Sequence, residues 1–420
     1  MRVVSLLTCL LILLQSNVFA KSTMQWRGPN RDGVYNETNL LKSWPEAGPT
    51  LVWSTEEVGM GYSSMTVVDG TVYITGSKDA QDHLTAIDSQ GKILWNVPFG
   101  PMYSGDYPVA RTTPTVEGDR LYVISGLGHV ACIKRADGTL VWSVDGLKKF
   151  EGAYGRWGVA ESPLIVANKV IYTPGGDETT MVALDKMTGE TIWKSESLED
   201  ETGYSSPILI NRGGRQLIVN VTGKFIFGVS ASTGKILWKY NYYDVGPNTG
   251  GGGRTININT PLYHDGRIYI TSGYNHTGAA FDLSEDGLSV KLAWTDETLD
   301  CHHGGVVLVD GYLYGSNWLD NNRGNWVCVD WQTGKPEYEK EWFSKGSIVY
   351  ADGLLYCYEE RRGNIAIVKP TPDNFEVVSS FKVPKGSGPH WAHPVISDGK
   401  LYVRHGTALM VYDIRAEGSL

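Results

Sequence analysis

A chain of 420 residues with 46 acidic and 37 basic side chains has a formal net charge of −9. This length accommodates two or three ordinary domains or one large repeat array. The acidic balance argues against a nucleic-acid partner, because such binding relies on clustered Lys and Arg to displace counterions. The 50 Gly and 14 Trp favour many tight turns and a repeated aromatic position over a helical protein.

The N-terminus has the pattern of a secretory signal. Arg2 supplies a positive charge, residues 3–14 are almost all apolar, and the small residue Ala20 precedes the expected cleavage point. We therefore predict a signal peptide over residues 1–20 and a periplasmic or secreted protein. No later apolar run is long enough to span a bilayer, so the mature chain is predicted to lack a transmembrane segment. Residues 21–50 are predicted to form a leader that packs on the domain that follows.

From residue 51 onwards, one pattern recurs eight times. Each copy has an apolar strand often led by Pro, an Asp-Gly turn, a strand centred on Tyr, a strand ending in Asp, a Gly turn and a strand closed by Trp. The copies begin near Met65, Pro114, Pro163, Pro207, Pro261, Val306, Ile348 and Pro394. Four short strands in a repeat of roughly 45 residues are typical of propeller blades. We predict an all-β fold over residues 51–420, an eight-bladed β-propeller of four-stranded antiparallel blades, with seven blades as the alternative.

The two ends of the repeat array complement each other. The eighth copy ends near Arg415 without a fourth strand, whereas a spare strand, Leu51-Val52-Trp53, precedes the first copy. Donation of this strand to the last blade removes two free sheet edges at once. The sequence therefore predicts that the ring closes by pairing its N-terminal strand with its C-terminal blade.

One mouth of the central channel is predicted to bind a ligand. The residues before each innermost strand converge there, and the long connections 97–110, 145–160 and 241–257 lie on the same face. Loops of this length more often bind ligands than merely connect strands. The alternative is that they simply cap the channel. The predicted rim comprises Tyr62, Arg111, Arg156, Trp157, Glu161, Tyr204, Arg254, Asn259, Lys345 and Trp391.

Histidines cluster at the starts of two copies. His302 and His303 open the sixth copy and His393 opens the eighth. His303 and His393 are candidate metal ligands, since imidazole suits zinc and copper, and Glu161 and His303 are candidates for acid–base catalysis. Adjacent residues of a strand point in opposite directions, so at most one of His302 and His303 is expected to face the channel. The alternative is that these are ordinary hydrogen-bonded histidines.

Two cysteines occupy a packing position of the repeat. Cys132 and Cys328 take the place that Ala86 and Ala183 fill in other copies, where a small buried residue is needed. They lie four copies apart, on opposite sides of a closed ring, so they are not expected to form a disulfide.

The repeat resembles that of a known family. The pattern Pro-x-Val-x-Asp-Gly-x-Val-Tyr followed by Ala-Leu-Asp-x-x-Thr-Gly-x-x-x-Trp is similar to the tryptophan-docking repeat of the pyrroloquinoline-quinone-like (PQQ-like) propellers. Quinoprotein alcohol dehydrogenases and the β-propeller lipoprotein of the outer-membrane assembly machinery belong to that superfamily. The resemblance covers residues 51–415, and the leader from Trp26 to Gly33 resembles that of an exported bacterial subfamily.

The resemblance implies a cofactor site that this chain matches only in part. In the dehydrogenases, PQQ lies between a Trp floor and an adjacent Cys pair, and a Glu/Asn/Asp set holds calcium. This chain has no adjacent Cys pair. It has Trp157, Trp391, Glu161, Asn259 and Arg111 near the expected rim, and its candidate partners for the cofactor carboxylates are Arg111, Arg156, Arg254 and Lys345.

Three functional hypotheses follow from these observations. The first is an exported, non-catalytic propeller that binds a small molecule, a glycan or a protein segment at the channel mouth. It is favoured because the rim aromatics suit stacking and no further motif is needed. The second is a PQQ-dependent dehydrogenase that uses calcium to oxidise an alcohol or sugar. The third is a hydrolase or lyase that uses Glu161 with His303 or His393.

Overall fold

Eight four-stranded antiparallel sheets form a ring in the computed structural model, which describes residues 24–246 and 256–416. The predicted eight-bladed propeller is therefore confirmed. In each sheet the strands pair in chain order, apart from the strand that the N-terminal region donates to the last blade.

The strands of each blade run from the channel outwards. Blades 1 to 4 consist of Met65–Val68, Thr71–Lys78, Gln81–Ile87 and Ile93–Pro101 (blade 1); Thr115–Glu117, Arg120–Ile124, His129–Lys134 and Leu140–Asp145 (blade 2); Leu164–Val166, Lys169–Tyr172, Val182–Asp185 and Thr191–Lys194 (blade 3); and Ile208–Arg212, Arg215–Val221, Phe225–Ser230 and Ile236–Asn241 (blade 4). Blades 5 to 8 consist of Leu262–His264, Arg267–Ile270, Gly278–Leu283 and Val290–Asp296 (blade 5); Val307–Val309, Tyr312–Ser316, Trp326–Asp330 and Pro336–Lys340 (blade 6); Gly346–Ala351, Leu354–Glu359, Asn364–Lys369 and Glu376–Lys382 (blade 7); and Val395–Ser397, Lys400–His405, Ala408–Asp413 and Thr50–Thr55 (blade 8).

A few short elements complete the described part of the chain. Val34–Tyr35 adds a strand to blade 7, Gly175–Gly176 pairs with Asp200–Glu201, and the two helices are Gly146–Lys149 and the 3₁₀ turn Tyr242–Asp244. Within these residues, no helix has both the length and the apolar character needed to cross a membrane.

The Asp-Gly dipeptides form the turns between the first two strands of a blade. Asp69 and Gly70 both have positive φ values, 51° and 72°. Positive φ at both central residues is the requirement of the two-residue turn whose twist matches that of a hairpin. These turns lie on the face of the ring opposite the predicted binding mouth.

The N-terminal strand closes the ring as predicted. Thr50–Thr55 pairs antiparallel with Ala408–Asp413, with Thr50 opposite Asp413. This pairing completes blade 8 and covers the edge that the last strand otherwise leaves free.

Tryptophans within the outer strands join neighbouring blades. Each packs on the Gly turn of the next blade and donates its indole N–H to a backbone carbonyl there. Gly is needed in the turn because a Cβ on Gly234 would lie 2.4 Å from the ring of Trp193. The five contacts run from Trp53 to Ser89, Trp95 to Arg135, Trp142 to Lys186, Trp193 to Ala231 and Trp294 to Trp331.

The described cysteines are buried and form no disulfide. Cys132 is buried in the core between blades 2 and 3, and Cys328 in the core between blades 6 and 7, in line with the buried packing position that the sequence indicated.

Residues 24–44 enter the central channel and leave it again on the side of the Asp-Gly turns. Met24 pairs with Val116 of the innermost strand of blade 2, and Val34–Tyr35 pairs in parallel with the innermost strand of blade 7. Further along, Glu37 accepts hydrogen bonds from the backbone of the Asp398-Gly399 turn. The part between these pairings, residues 25–33, therefore forms a loop inside the ring, which we call the plug.

The indole hydrogen bonds between blades provide a test of this packing. Trp193 donates to Ala231 O at 3.3 Å, whereas the equally buried Trp238 has no partner for its N–H within the described residues. Trp193→Phe is therefore expected to lower the free energy of unfolding by about 1 kcal/mol more than Trp238→Phe, because it leaves a buried carbonyl unpaired. Urea unfolding of both variants measures the difference, and equal losses would contradict this account of the joint.

Candidate functional site

A cavity of about 500 Å³ opens at the mouth where the innermost strands begin. The plug lies at its base, since Trp26, Arg27, Arg31 and Asp32 are among its lining residues. Within the described residues, the ring therefore presents a pocket with the plug as its base.

Two kinds of loop build the wall of this cavity. The connections between blades contribute most of the polar and aromatic side chains, including Tyr107, Arg156 and Trp391. The loops between the second and third strands of a blade contribute Tyr274 and Glu360. They reach the same face because the second strand of an antiparallel blade returns to the mouth from which the first one started.

Aromatic side chains form two groups around the mouth. Trp391 lies between Tyr62 and Tyr107, with ring centroids 4.8 Å and 5.2 Å from theirs. Trp157 packs against Tyr204 with a centroid separation of 5.6 Å, on the side of blades 3 and 4. Tyr62 and Trp391 are half-buried, so part of each ring faces the cavity. Such rings offer flat apolar surfaces to a ligand.

Arg27 and Arg31 of the plug are buried and tie it to opposite parts of the ring. Arg27 donates to Val306 O at 2.6 Å and contacts His393 Nδ1 at 2.8 Å, on the side of blades 6 and 8. Arg31 donates to the carbonyls of Ser162 and Pro207, both at 3.0 Å, at the entries to blades 3 and 4. Burial lowers the pKa of Arg31 to about 9, partly offset by Glu161.

The other cations near the mouth are also engaged. Arg111 donates to the carbonyls of Asp106, Tyr107 and Trp157. Arg156 pairs with the carboxylate of Asp106, with 2.6 Å between Nε and Oδ2. The cavity therefore has a positively charged base and rim, but most of these donors already bind protein oxygens.

A compact group of ligand-type side chains lies beside Trp391. His302, His303 and Glu360 each offer one atom, and these atoms lie within 4.8 Å of one another. His303 Nε2 and Glu360 Oε2 are 3.3 Å apart, and Glu360 Oε1 pairs with Lys345 Nζ at 2.7 Å. Burial, together with the charge of Lys345, lowers the pKa of His303 to about 3, so its imidazole is neutral at neutral pH. Burial raises the pKa of Glu360, although Lys345 opposes that shift.

The structure brings most of the predicted rim residues together. Those that line the cavity are Tyr62, Arg111, Arg156, Trp157, Tyr204, Asn259 and Trp391, together with the metal candidates His303 and His393. Arg254 lies outside the described residues. Lys345 is 2% exposed and lies behind Glu360 instead of lining the pocket.

Glu161 does not line the cavity, which differs from its predicted place on the rim. Its neighbours Ala160 and Ser162 do so, and the alternation of an extended chain turns Glu161 into the protein, where it is fully buried. Its Oε2 accepts a hydrogen bond from Thr173 N at 3.2 Å. Burial raises its pKa to about 8, partly opposed by Thr173 and Arg31.

The prediction that at most one of His302 and His303 faces the channel is wrong, since both line the cavity. They lie in an irregular segment before the strand Val307–Val309, so strand alternation does not apply to them. His393, the other metal candidate, contacts Arg27 through Nδ1 and His303 O through Nε2. Both of its ring nitrogens are thus occupied.

Sequence reasoning missed Glu360, Tyr274 and the plug. The signal for Glu360 was the charged run from Glu359 to Arg362 directly after an apolar strand. Because that strand returns to the mouth, its end belongs to the same face as the starts of the innermost strands. The amino-acid sequence of the plug, by contrast, does not indicate that Arg27 and Arg31 lie inside the ring.

The sequence of this chain matches the model of a known protein family. Residues 80–336 match the model of a PQQ-like family whose description is outer membrane protein assembly factor BamB. The chain belongs to this family. The membership confirms the PQQ-like resemblance of the repeats, and no curated protein matches the chain.

Solved structures share the fold of this PQQ-like propeller at low sequence identity. BamB from Moraxella catarrhalis is 17% identical, with a TM-score of 0.64 over 87% of this chain and 99% of that chain. The quinohemoprotein alcohol dehydrogenase from Comamonas testosteroni is 14% identical, with a TM-score of 0.65 over 93% and 80%. The computationally designed protein Ika8 is 11% identical, with a TM-score of 0.63 over 87% and 100%. At these identities the likeness concerns the fold alone.

The pH dependence of stability tests the burial of Glu161. A folded-state pKa of about 8, against an ordinary value of 4.5, means that the contribution of this carboxyl to stability is complete below pH 4.5 and is lost as the pH rises through 8. Glu161→Gln is therefore expected to match the wild type at pH 5 and to exceed its free energy of unfolding at pH 8 by about 2–4 kcal/mol. Urea unfolding at both pH values measures this gain, and Glu57→Gln, at an exposed position, is the control. If Glu161→Gln loses as much stability between pH 5 and pH 8 as the wild type does, the Glu161 carboxylate is not the cause of the loss. That result would indicate a solvent-exposed carboxylate and contradict its burial.

Proposed function

We propose that this protein is an exported propeller that binds a small ligand with a flat apolar face, most simply a saccharide, in the cavity at the channel mouth. The proposal rests on one observation above all: half-buried aromatic rings line a pocket whose base is the plug. The cavity volume of about 500 Å³ falls in the range of small-molecule sites, which is about 300–1,000 Å³.

The chemistry of the wall suits a saccharide. A sugar ring has apolar faces, which stack on aromatic side chains, and a polar edge, which forms hydrogen bonds. Trp391 and Tyr62 offer such surfaces beside one another, and Trp157 offers another beside Tyr204. Asp32 adds a carboxylate to the same lining.

The plug favours a small ligand over a long chain passing through the ring. Arg27 and Arg31 hold the plug against blades on opposite sides of the channel. A protein segment therefore has no route through the ring and would have to lie across the mouth. Binding of such a segment is an outcome that the experiment below distinguishes.

The predicted signal peptide supports the export part of the proposal. Residues 1–20 combine a basic start, an apolar stretch and a small residue before the expected cleavage point. A periplasmic or secreted location also fits a binding protein that meets its ligand outside the cytoplasm.

The side chains at the mouth do not fit PQQ with calcium. Asn259 Nδ2 donates to the carbonyls of Thr271, Cys301 and His302, and its Oδ1 accepts from Gly305 N. It therefore has no free oxygen for calcium. The other residue expected to hold calcium, Glu161, lies outside the lining.

The candidate cations that the structure describes are also engaged by protein oxygens. The tricarboxylate PQQ needs free positive partners, whereas Arg111 donates to three carbonyls and Arg156 pairs with Asp106. A hydrolase that relies on Glu161 is also disfavoured, because the Glu161 carboxylate does not reach the cavity.

Ligand binding is testable by tryptophan fluorescence. The mature chain is screened on a glycan array, and each hit is titrated in solution. Trp391→Ala and Tyr62→Ala are each expected to weaken binding about tenfold, since one stacking partner contributes roughly 1–1.5 kcal/mol. Phe343→Ala, an exposed aromatic outside the cavity, is the matched control and should bind as the wild type does.

Other outcomes would overturn the proposal. A hit whose affinity survives both substitutions binds elsewhere. If peptides bind at the mouth and no saccharide does, the ligand class is wrong. If incubation with PQQ and calcium produces a bound chromophore and dye-linked alcohol oxidation, the protein is a dehydrogenase.

A further inference from the structure

Three potential metal ligands converge at one side of the cavity from two separate loops. His302 and His303 precede the first strand of blade 6, and Glu360 follows the second strand of blade 7. One ligand atom from each lies within 4.8 Å of the others. Glu360, 57 positions beyond His303, thus joins two adjacent histidines in a single group of two imidazoles and a carboxylate.

Within residues 24–246 and 256–416, each member has a polar atom without a hydrogen bond. These atoms are His302 Nδ1, His303 Nε2 and Glu360 Oε2, all withdrawn from solvent. His303 Nε2 and Glu360 Oε2 are 3.3 Å apart, yet no hydrogen bond of normal geometry joins them. Glu360 is 4% exposed, and an unpaired buried carboxylate oxygen is costly. A cation between these atoms would satisfy all three.

Neighbouring side chains hold the group in place. Tyr274 Oη lies 2.8 Å from His302 Nε2, which leaves Nδ1 as the free nitrogen of that ring. Lys345 Nζ holds Glu360 Oε1 at 2.7 Å, which leaves Oε2 free. Fixing one atom of a ligand by an outer hydrogen bond so that the other is presented is the usual arrangement around protein-bound metals.

The ligand set indicates the class of metal. Two imidazoles and one carboxylate suit zinc and related transition metals, whereas calcium and magnesium prefer oxygen ligands alone. Tetrahedral zinc with bonds near 2.0 Å places its ligand atoms about 3.3 Å apart, which the His303–Glu360 separation matches. The other separations reach up to 4.8 Å, so metal binding would draw the remaining atoms together.

We propose that His302, His303 and Glu360 bind one divalent transition-metal ion of the zinc class, with an open coordination position facing the cavity. All three residues line the cavity, so a fourth ligand can approach from the pocket. Three protein ligands with an exchangeable fourth position distinguish reactive or ligand-binding zinc sites from closed structural ones. The proposal does not depend on the nature of the ligand that stacks on Trp391.

Lys345 sets the charge of the site. It is 2% exposed and its ammonium group neutralises Glu360, so the metal gains no net negative charge from the protein. Two consequences follow from this. The fourth position favours an anion, such as a carboxylate or hydroxide, and Lys345 weakens metal binding by repulsion.

Cobalt(II) absorption and zinc calorimetry test the site on the untagged mature chain after treatment with a chelator. The wild type is expected to bind one ion per chain and to give visible cobalt bands of a low-coordinate site. Glu360→Gln, His302→Ala and His303→Ala are each expected to weaken binding at least about tenfold. The control is His83→Ala, since that histidine lies outside the cavity.

Lys345→Met distinguishes an electrostatic effect of this lysine on metal binding from a merely structural role of the residue. Removal of the ammonium group is expected to strengthen cobalt binding, opposite to the effect of the ligand substitutions. If the wild type binds no ion stoichiometrically, or if Glu360→Gln and His303→Ala bind as tightly as the wild type, the proposal is overturned. If Lys345→Met fails to fold, the three ligand variants still decide the question.

Discussion

The packing of a tryptophan against the glycine turn of the next blade is the contact on which this ring depends. It joins separate sheets that share no strands, and it recurs at five of the junctions in the described part of the chain. Trp53 matters most among these, since it comes from the N-terminal strand and contacts blade 1 at Ser89. The same short segment therefore completes blade 8 and joins it to blade 1, so ring closure relies on residues far apart in sequence.

Once the ring is closed, the plug determines what its mouth can do. An eight-bladed ring leaves a central channel, and here a loop held by two buried arginines blocks it just below the rim. The cost of burying these charges is offset by carbonyls at the entries to the innermost strands, which point their oxygens inwards. The result is a pocket of limited depth, in which the aromatic rings and the His-His-Glu group face the same space. Ligand size and ligand chemistry are thus set by different parts of the chain.

The sequence was sufficient for the architecture and for most of the mouth. Asp-Gly turns, Trp positions and the spare N-terminal strand are local signals repeated many times, so blade number and closure followed from them. Tyr62, Trp157 and Trp391 were found because every innermost strand starts on one face. Glu360 was missed because only one of the two sets of loops on that face was considered. Glu161 was misplaced because the direction of a side chain in an extended segment depends on a single residue of register. The depth to which the leader enters the ring depends on contacts between distant residues, which no local pattern contains.

Hydrogen exchange across the mature chain, measured with and without a saccharide identified by the array, most directly tests whether the mouth is the binding site. The account predicts that protection rises in the segments around Tyr62, Trp157, His303 and Trp391, which lie far apart in sequence and meet only at the cavity. The Asp-Gly turns on the opposite face should exchange at the same rate in both states. Protection confined to those turns, or to the outer strands, would contradict the account.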